Sequence, residues 1–143
     1  MAIIYAEQLE YMSVEEMQKT HEDEINIINE IDKLALGYQR GTVELAELEK
    51  KLDEYIDHVK AHFANEERLM RTYKFPAYEM HKMAHDMFLM DLQQATRQWK
   101  EFGDIKKIIH FIGKTPEWIA MHVNSVDAPT ADFLARKMEN SDA

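Results

Sequence analysis

The fold is decided by residues 45–69, which read LAELEKKLDEYIDHVKAHFANEERL. Apolar and aromatic side chains recur here in alternating steps of three and four residues, and a histidine and a glutamate continue the pattern. The repeating positions are Leu45, Leu48, Leu52, Tyr55, Val59, His62, Glu66 and Leu69. Because this spacing puts every member on one helical face, it is typical of a bundle seam. It predicts a long helix, from Thr42 to about Thr72, that carries His62 and Glu66 into the core.

Start and stop signals on either side of this stretch predict further long helices. The first helix should begin near Val14, after a capping box at residues 13–16, and end at Gly37. The third should open at Pro76, a residue that favours the first turn of a helix. Its end is predicted at Gly103, where the next residue could cap the following helix.

The last quarter of the chain predicts a broken fourth helix. Residues 104–112 are helical in pattern, Gly113–Pro116 should break them, and the last major helix should restart at Thr115. Since all the connections are short, we expect an all-α, up-down-up-down four-helix bundle with an N-terminal arm and a short C-terminal segment. The whole chain, 1–143, is predicted to be a single domain.

Composition excludes several classes of function. The formal net charge of −10 argues against nucleic acid and anionic membranes as partners, because both require basic patches. No apolar run is long enough to span a bilayer, and the first twenty residues lack the features of a signal peptide. The absence of Cys fits a reducing cytoplasm, where we expect this protein. It also excludes thiolate-bound zinc and iron–sulfur clusters.

Five histidines and two carboxylates recur at spacings that suit metal ligands. Two pairs are four residues apart, so the members of each pair share a helical face about 6 Å apart along the axis. The full set is His21, His62, Glu66, His81, His85, His122 and Asp127. Imidazole nitrogens combined with two carboxylate oxygens suit redox-active iron better than magnesium or calcium. As core filler these side chains would bury unsatisfied polar groups, so a metal site is the better interpretation.

The number of donors predicts two metal ions. If Glu66 and Asp127 each bridge the ions, they supply about four contacts, the histidines about five, and a shared oxo or hydroxo group about two. Two octahedral irons need about twelve contacts, so about one position stays open. A small diatomic ligand could bind there.

The place of this site in the bundle can also be predicted. The turn at residues 74–76 is close in sequence to both Glu66 and His81, so the cluster should lie near one end of the bundle, with a long apolar body beyond it. Asp127 follows His122 by five residues, a spacing that points the two apart on a regular helix. We therefore expect Asp127 at a frayed or loosened helix end.

The residues around these positions form recognisable motifs. They are His21 with Ile28-Asn29, His62-Phe-Ala-Asn-Glu66-Glu-Arg-Leu-Met70, His81-Lys-Met-Ala-His85 and Trp118-Ile-Ala-Met-His122-Val-Asn-Ser-Val-Asp127. Together they resemble the hemerythrins, particularly the bacterial ones, over roughly residues 14–134. The resemblance implies a non-haem di-iron centre in a helical bundle that binds O₂ reversibly.

The resemblance also implies a role for each ligand. His81, His85 and His122 would hold one iron. His21 and His62 would hold the other, five-coordinate iron. Glu66 and Asp127 would bridge the two.

Two positions depart from the usual pattern of that family. Glu24 stands where an apolar residue generally lines the oxygen pocket, and His58 stands where tyrosine is often found. Because the first two helices should be antiparallel, both side chains would lie just above the iron with the open position if they face inward. They could instead face solvent. Ile119 is expected as a further pocket wall, and the remaining histidine, His110, as a hydrogen-bonded core residue.

Three functions stay open on this basis. A protein that carries, stores or delivers O₂ is preferred over an enzyme. The alternatives are a di-iron enzyme that reduces O₂ or peroxide or oxidises a substrate, and a module that senses O₂, NO or iron. An inward Glu24 would favour the enzyme, because it could bind the metal or supply protons.

Overall fold

The computed structural model describes residues 2–5 and 12–142, most of which are helical. The helices are α1 (Glu15–Gln39), α2 (Leu45–Thr72), α3 (Tyr78–Phe102), α4 (Ile105–His122) and α5 (Ala128–Asp142). A π-helical turn, Val123–Asp127, joins α4 to α5 without a break, so these elements form one continuous final helix. The described ranges contain no strand and no helix that is long and apolar enough to cross a membrane.

Each of the first three helices packs against the next, and α4 closes the ring against α1. This arrangement confirms the predicted all-α, up-down-up-down four-helix bundle. One end of the bundle has an apolar core, and several of its side chains are at most 1% exposed, among them Leu48, Leu52, Leu92, Ile108 and Ile112. Burial of each such side chain contributes roughly 1.5–3 kcal/mol before the lost conformational entropy is subtracted.

The predicted seam of α2 is buried from Leu48 to Leu69. The prediction is wrong for Leu45, which is 38% exposed. Leu45 is the first residue of α2, and helical side chains point toward the helix N-terminus. Its side chain therefore extends past the end of the bundle, where no opposing helix covers it.

The connection between α1 and α2 differs from the prediction. α1 continues two residues past Gly37, and the chain turns at Gly41, whose φ of +78° glycine adopts without strain. Gly37 is instead required by a close approach, because a Cβ there would lie 2.4 Å from Cγ2 of Val43. Thr42 does not cap α2, since its hydroxyl donates to the carbonyl of Gly37 over 3.1 Å.

The capping box predicted at residues 13–16 is absent, although α1 begins within one residue of the expected start. The hydroxyl of Ser13 donates to a carboxylate oxygen of Asp132 in α5. Val14 occupies the N-cap position and makes no side-chain hydrogen bond there. The hydroxyl thus links the start of α1 to the last helix, a contact that no local pattern indicates.

Residues 2–5 are the described part of the predicted N-terminal arm, and Asn29 of α1 holds them. Its Oδ1 accepts hydrogen bonds from the backbone nitrogens of Ile3 (2.9 Å) and Ile4 (3.2 Å). Its Nδ2 donates to the carbonyl of Ile4 over 2.8 Å. The buried side chain of Ile4 joins the apolar core.

α4 runs through the segment at which a break was predicted. Pro116 lacks the N–H that would bond the carbonyl of Ile112 four residues earlier. The hydroxyl of Thr115 donates to that same carbonyl over 2.6 Å. Because the carbonyl freed by the proline is satisfied, the helix continues, and the predicted break at Gly113–Pro116 is wrong.

His110 lies on the outer face of α4 and is exposed, so the expectation of a core histidine is wrong. The buried positions on either side of it are Ile108 and Ile112, which share the inward face. His110 is two residues away from each of them, so it lies on the opposite face of the helix, toward solvent.

Candidate metal centre

The predicted metal-binding side chains lie together near one end of the bundle, each at most 7% exposed. Their donor atoms form two overlapping sets, in each of which all the atoms lie within 4.8 Å of one another. One set has three histidines and the other has two, and both contain Glu66 and Asp127. The sets are Glu66, His81, His85, His122 and Asp127, and His21, His62, Glu66 and Asp127. Two neighbouring positions that share two carboxylates suit a pair of metal ions.

Glu66 directs one carboxylate oxygen toward each set. Its Oε1 lies 3.3 Å from Nε2 of His81 and 3.2 Å from Nε2 of His85. Its Oε2 lies 2.5 Å from Nε2 of His62 and 3.8 Å from Nε2 of His21. This division of the two oxygens is the geometry that a bridging carboxylate requires.

Asp127 divides its oxygens in the same way. Its Oδ1 lies 2.9 Å from Nε2 of His81 and 3.0 Å from Nε2 of His122, while Oδ2 lies 3.0 Å from Nε2 of His21. The π-helical turn makes this possible, because five residues complete about one turn of a π-helix and bring Asp127 back to the face of His122. The loosened helix expected at Asp127 is therefore present, but the helix end is not.

The outer nitrogens of two histidines have partners that the sequence reasoning missed. Nδ1 of His81 lies 2.9 Å from the hydroxyl of Thr130, which itself donates to the carbonyl of Val126. The hydroxyl must therefore accept from an Nδ1–H of His81. Nδ1 of His85 likewise lies 3.0 Å from a carboxylate oxygen of Glu67. Both contacts leave Nε2 free to bind a metal.

Buried atoms without partners test whether a metal fits the site. Within the described ranges no hydrogen bond of good geometry reaches the inward atoms Nε2 of His81, His85 and His122, Oε1 of Glu66 or Oδ1 of Asp127. Leaving such groups unsatisfied is costly, and cations would satisfy them together. The donors present thus fit metal ions, and imidazole with carboxylate suits iron.

Without a metal, neighbouring side chains of the cluster shift one another's pKa values. Burial alone would lower the pKa of His81, but the neighbouring carboxylates of Asp127 and Glu66 outweigh it and raise that pKa to about 9. Burial would likewise lower the pKa of His62, but Glu66 and Glu24 raise it well above its usual value. Burial would raise the pKa of Glu66, yet His62 brings it well below its usual range. Metal ions would therefore have to displace protons from this cluster.

Two aromatic rings lie flat against histidines of the cluster. Phe63 stacks on His85 with 3.9 Å between ring centroids, and Trp118 stacks on His122 with 4.4 Å. Phe88 packs against both aromatic rings. These contacts fix the planes of the two imidazoles and surround one side of the cluster with apolar surface.

Glu24 and His58 both face inward, where the structure brings them beside His62. Glu24 is only 5% exposed, and its Oε2 lies 3.2 Å from Nδ1 of His62, the nitrogen on the opposite edge of the ring from Glu66. His58 is half-buried, with its ring centroid 6.1 Å from that of His62. Ile119 is buried on α4. Glu24 thus contacts the outer edge of His62 rather than the shared carboxylates.

Comparison with known proteins places these features in a family context. The family model for the hemerythrin HHE cation binding domain matches residues 11–128. A bacteriohemerythrin of Aquifex aeolicus is 30% identical over 119 residues, covering 82% of this chain and 87% of that protein. One of Ralstonia nicotianae is 30% identical over 92 residues, covering 64% of this chain and 66% of that protein. No solved structure matches significantly.

Proposed function

This chain belongs to the hemerythrin family, a family of non-haem iron-binding domains, and from that premise we propose that it is a di-iron protein that binds O₂ reversibly. The observation that carries the proposal is the division of the oxygens of Glu66 and Asp127 between the two groups of histidines. Such an arrangement suits two ions with shared bridges. The relatives named bacteriohemerythrin support the same function for this chain.

In this proposal Glu66, Asp127 and an oxo or hydroxo group would be shared between two iron ions. His81, His85 and His122 would hold one ion, and His21 and His62 would hold the other, which would keep an open position. Ferrous iron supplies the electrons that O₂ binding at such a site requires. The protein's own contribution is to hold each Nε2 inward, exclude water with apolar and aromatic side chains, and limit the protons that reach the open position.

A metal count and an optical spectrum test the proposal. Purified protein grown with ample iron should contain about two irons per chain. After anaerobic reduction and exposure to air, a stable absorption band that disappears under vacuum is expected. One metal per chain, or zinc alone, would contradict the di-iron centre. Immediate oxidation to the ferric form would exclude carriage.

A di-iron enzyme that reduces O₂ or peroxide is the second candidate, because one observation favours it. Glu24 places a carboxyl group in the buried space beside His62, where a simple carrier would be expected to present apolar surface. A carboxyl there could supply protons and so promote oxidation of the iron. The contact of Glu24 with Nδ1 of His62 also suits a structural role, in which Glu24 holds the imidazole in place. The optical experiment separates these two functions.

A further inference from the structure

A groove with a cavity volume of about 420 Å³ opens on the surface between α1 and α2. Three carboxylates and one lysine line it, namely Asp23, Glu30, Glu54 and Lys51. Lys51 lies 2.9 Å from Glu54, and Asp23 lies 3.5 Å from Nζ of Lys19. Glu30 has no ion pair among the described residues. The groove is therefore negative on balance, which raises the local concentration of cations.

His58 lies at the inner end of this groove. It is half-buried, and its Nε2 is fully buried without a hydrogen-bond partner among the described residues. Behind it are a carboxylate oxygen of Glu24 and Nδ1 of His62, and Nδ1 also lacks a hydrogen bond of good geometry. One donor atom from each of the three residues lies within 4.8 Å of the others. Two imidazole nitrogens and one carboxylate oxygen suit a divalent transition-metal ion.

We propose that Glu24, His58 and His62 form a cation-access site, at the base of the acidic groove, through which ferrous ions reach the buried cluster. The inference rests on the proposed function, because it needs a metal centre to fill. His62 connects the two places: its Nδ1 faces Glu24 at 3.2 Å and its Nε2 faces Glu66 at 2.5 Å. An ion held at the access site is therefore one imidazole ring away from the shared carboxylates.

The same ring explains why the access site empties. Once Nε2 of His62 binds an ion in the cluster, the neutral imidazole carries its proton on Nδ1. Glu24 then accepts that proton in a hydrogen bond, and the access site loses its third donor. The site therefore serves loading and does not add a third ion to the filled protein.

The test measures the rates of metal uptake and release in the full-length chain. Anaerobic Fe²⁺ uptake by metal-depleted protein is followed by stopped flow, and release from the loaded ferrous protein is followed with a coloured chelator. His58→Leu should slow both rates by the same factor, about 10-fold, and leave the final content at two irons. A change in the access path alters the barrier that ions cross during both uptake and release, and it leaves the binding equilibrium unchanged. Both rates should therefore fall by the same factor.

Neutralising the mouth of the groove provides a second variant. Asp23→Asn combined with Glu30→Gln should slow uptake at low ionic strength and approach wild-type rates at high salt, since salt screens exposed charges. The matched controls are His110→Leu and the exposed pair Glu47→Gln with Glu79→Gln, which lie outside the groove and should load at wild-type rates.

Two results would overturn the access site. Uptake and release at wild-type rates in both groove variants would show that ions take another path. Faster release with unchanged uptake would show that His58 only stabilises the structure. Neither readout depends on O₂: a protein that loads through the groove but lacks a reversible optical band would refute O₂ carriage alone.

Discussion

At the scale of single residues, the second contact of each histidine decides how it presents its inward nitrogen. Thr130 and Glu67 accept from the outer nitrogens of His81 and His85. Glu24 takes the corresponding place beside His62, which in the proposed centre is a ligand of the iron that keeps the open position. A carboxyl there can hold the ring and also release a proton close to that position. Carriage and catalysis therefore predict different roles for the carboxyl of Glu24.

Glu24→Leu should slow oxidation of the ferrous protein in air, because it removes a proton source and restores apolar surface. The expected change is roughly 10-fold, the lower end of the range for a residue that contacts a metal ligand. Glu24→Gln keeps an acceptor for Nδ1 of His62 without a carboxyl, so it should slow oxidation as well. The measurement is the rate of spectral change at equal iron content. Exposed Glu22→Gln is the control, and wild-type rates in both Glu24 variants would show that the carboxyl is incidental.

At the scale of elements, two irregular places in the final helix position the cluster. The π-helical turn at Val123–Asp127 brings Asp127 onto the face of His122. About two turns earlier, α4 passes through Pro116 because Thr115 bonds the carbonyl that the proline leaves free. π-turns are rare and often lie at functional sites. Here the turn places the carboxylate of Asp127 in the cluster without ending the helix.

The pairing of Thr115 with Pro116 predicts an energetic coupling. Thr115→Val should lower the free energy of unfolding by about 1–3 kcal/mol, because the buried carbonyl of Ile112 loses the hydroxyl that replaces the missing proline N–H. In a Pro116→Ala background the backbone N–H of the alanine supplies that donor, so the same substitution should cost less. Urea unfolding of the four proteins in a double-mutant cycle gives the coupling. Strictly additive effects would mean that the hydroxyl does not compensate for the proline.

At the scale of the whole molecule, the bundle is divided between an apolar end and a polar end. The apolar end holds itself together by hydrophobic burial, as at Leu52, Leu92 and Ile108. The other end buries the histidines and carboxylates of the cluster in the core of the fold. Their mutual attraction only partly offsets the cost of removing them from water. Metal binding should therefore stabilise one end more than the other.

Hydrogen exchange can measure this division. Removal of metal should speed amide exchange mainly in residues 62–85 and 115–127, because binding energy at the cluster is folding energy for these segments. Residues 92–112, around the apolar end, provide the internal control and should change little. Equal protection of the cluster segments with and without metal would contradict the coupling.

Local sequence patterns determined the parts of this protein that depend on neighbours along the chain. The seam of α2 predicted a long buried helix, short connections predicted the up-down bundle, and the paired spacings indicated which histidines and carboxylates would share a site. The predicted helix and bundle are confirmed, and the structure brings the paired side chains together, because the period of a helix converts spacing directly into direction.

Only the tertiary structure decided the contacts between residues that are distant in the chain. The hydroxyl of Ser13 met Asp132 instead of capping α1, and Glu24 turned inward to His62. The five-residue step from His122 to Asp127 is compatible with either a helix end or a wider helical turn. The wider turn forms because it brings the carboxylate of Asp127 to the histidines of two other helices. In each case several local conformations are close in energy, so the partner supplied by another helix determines which one forms.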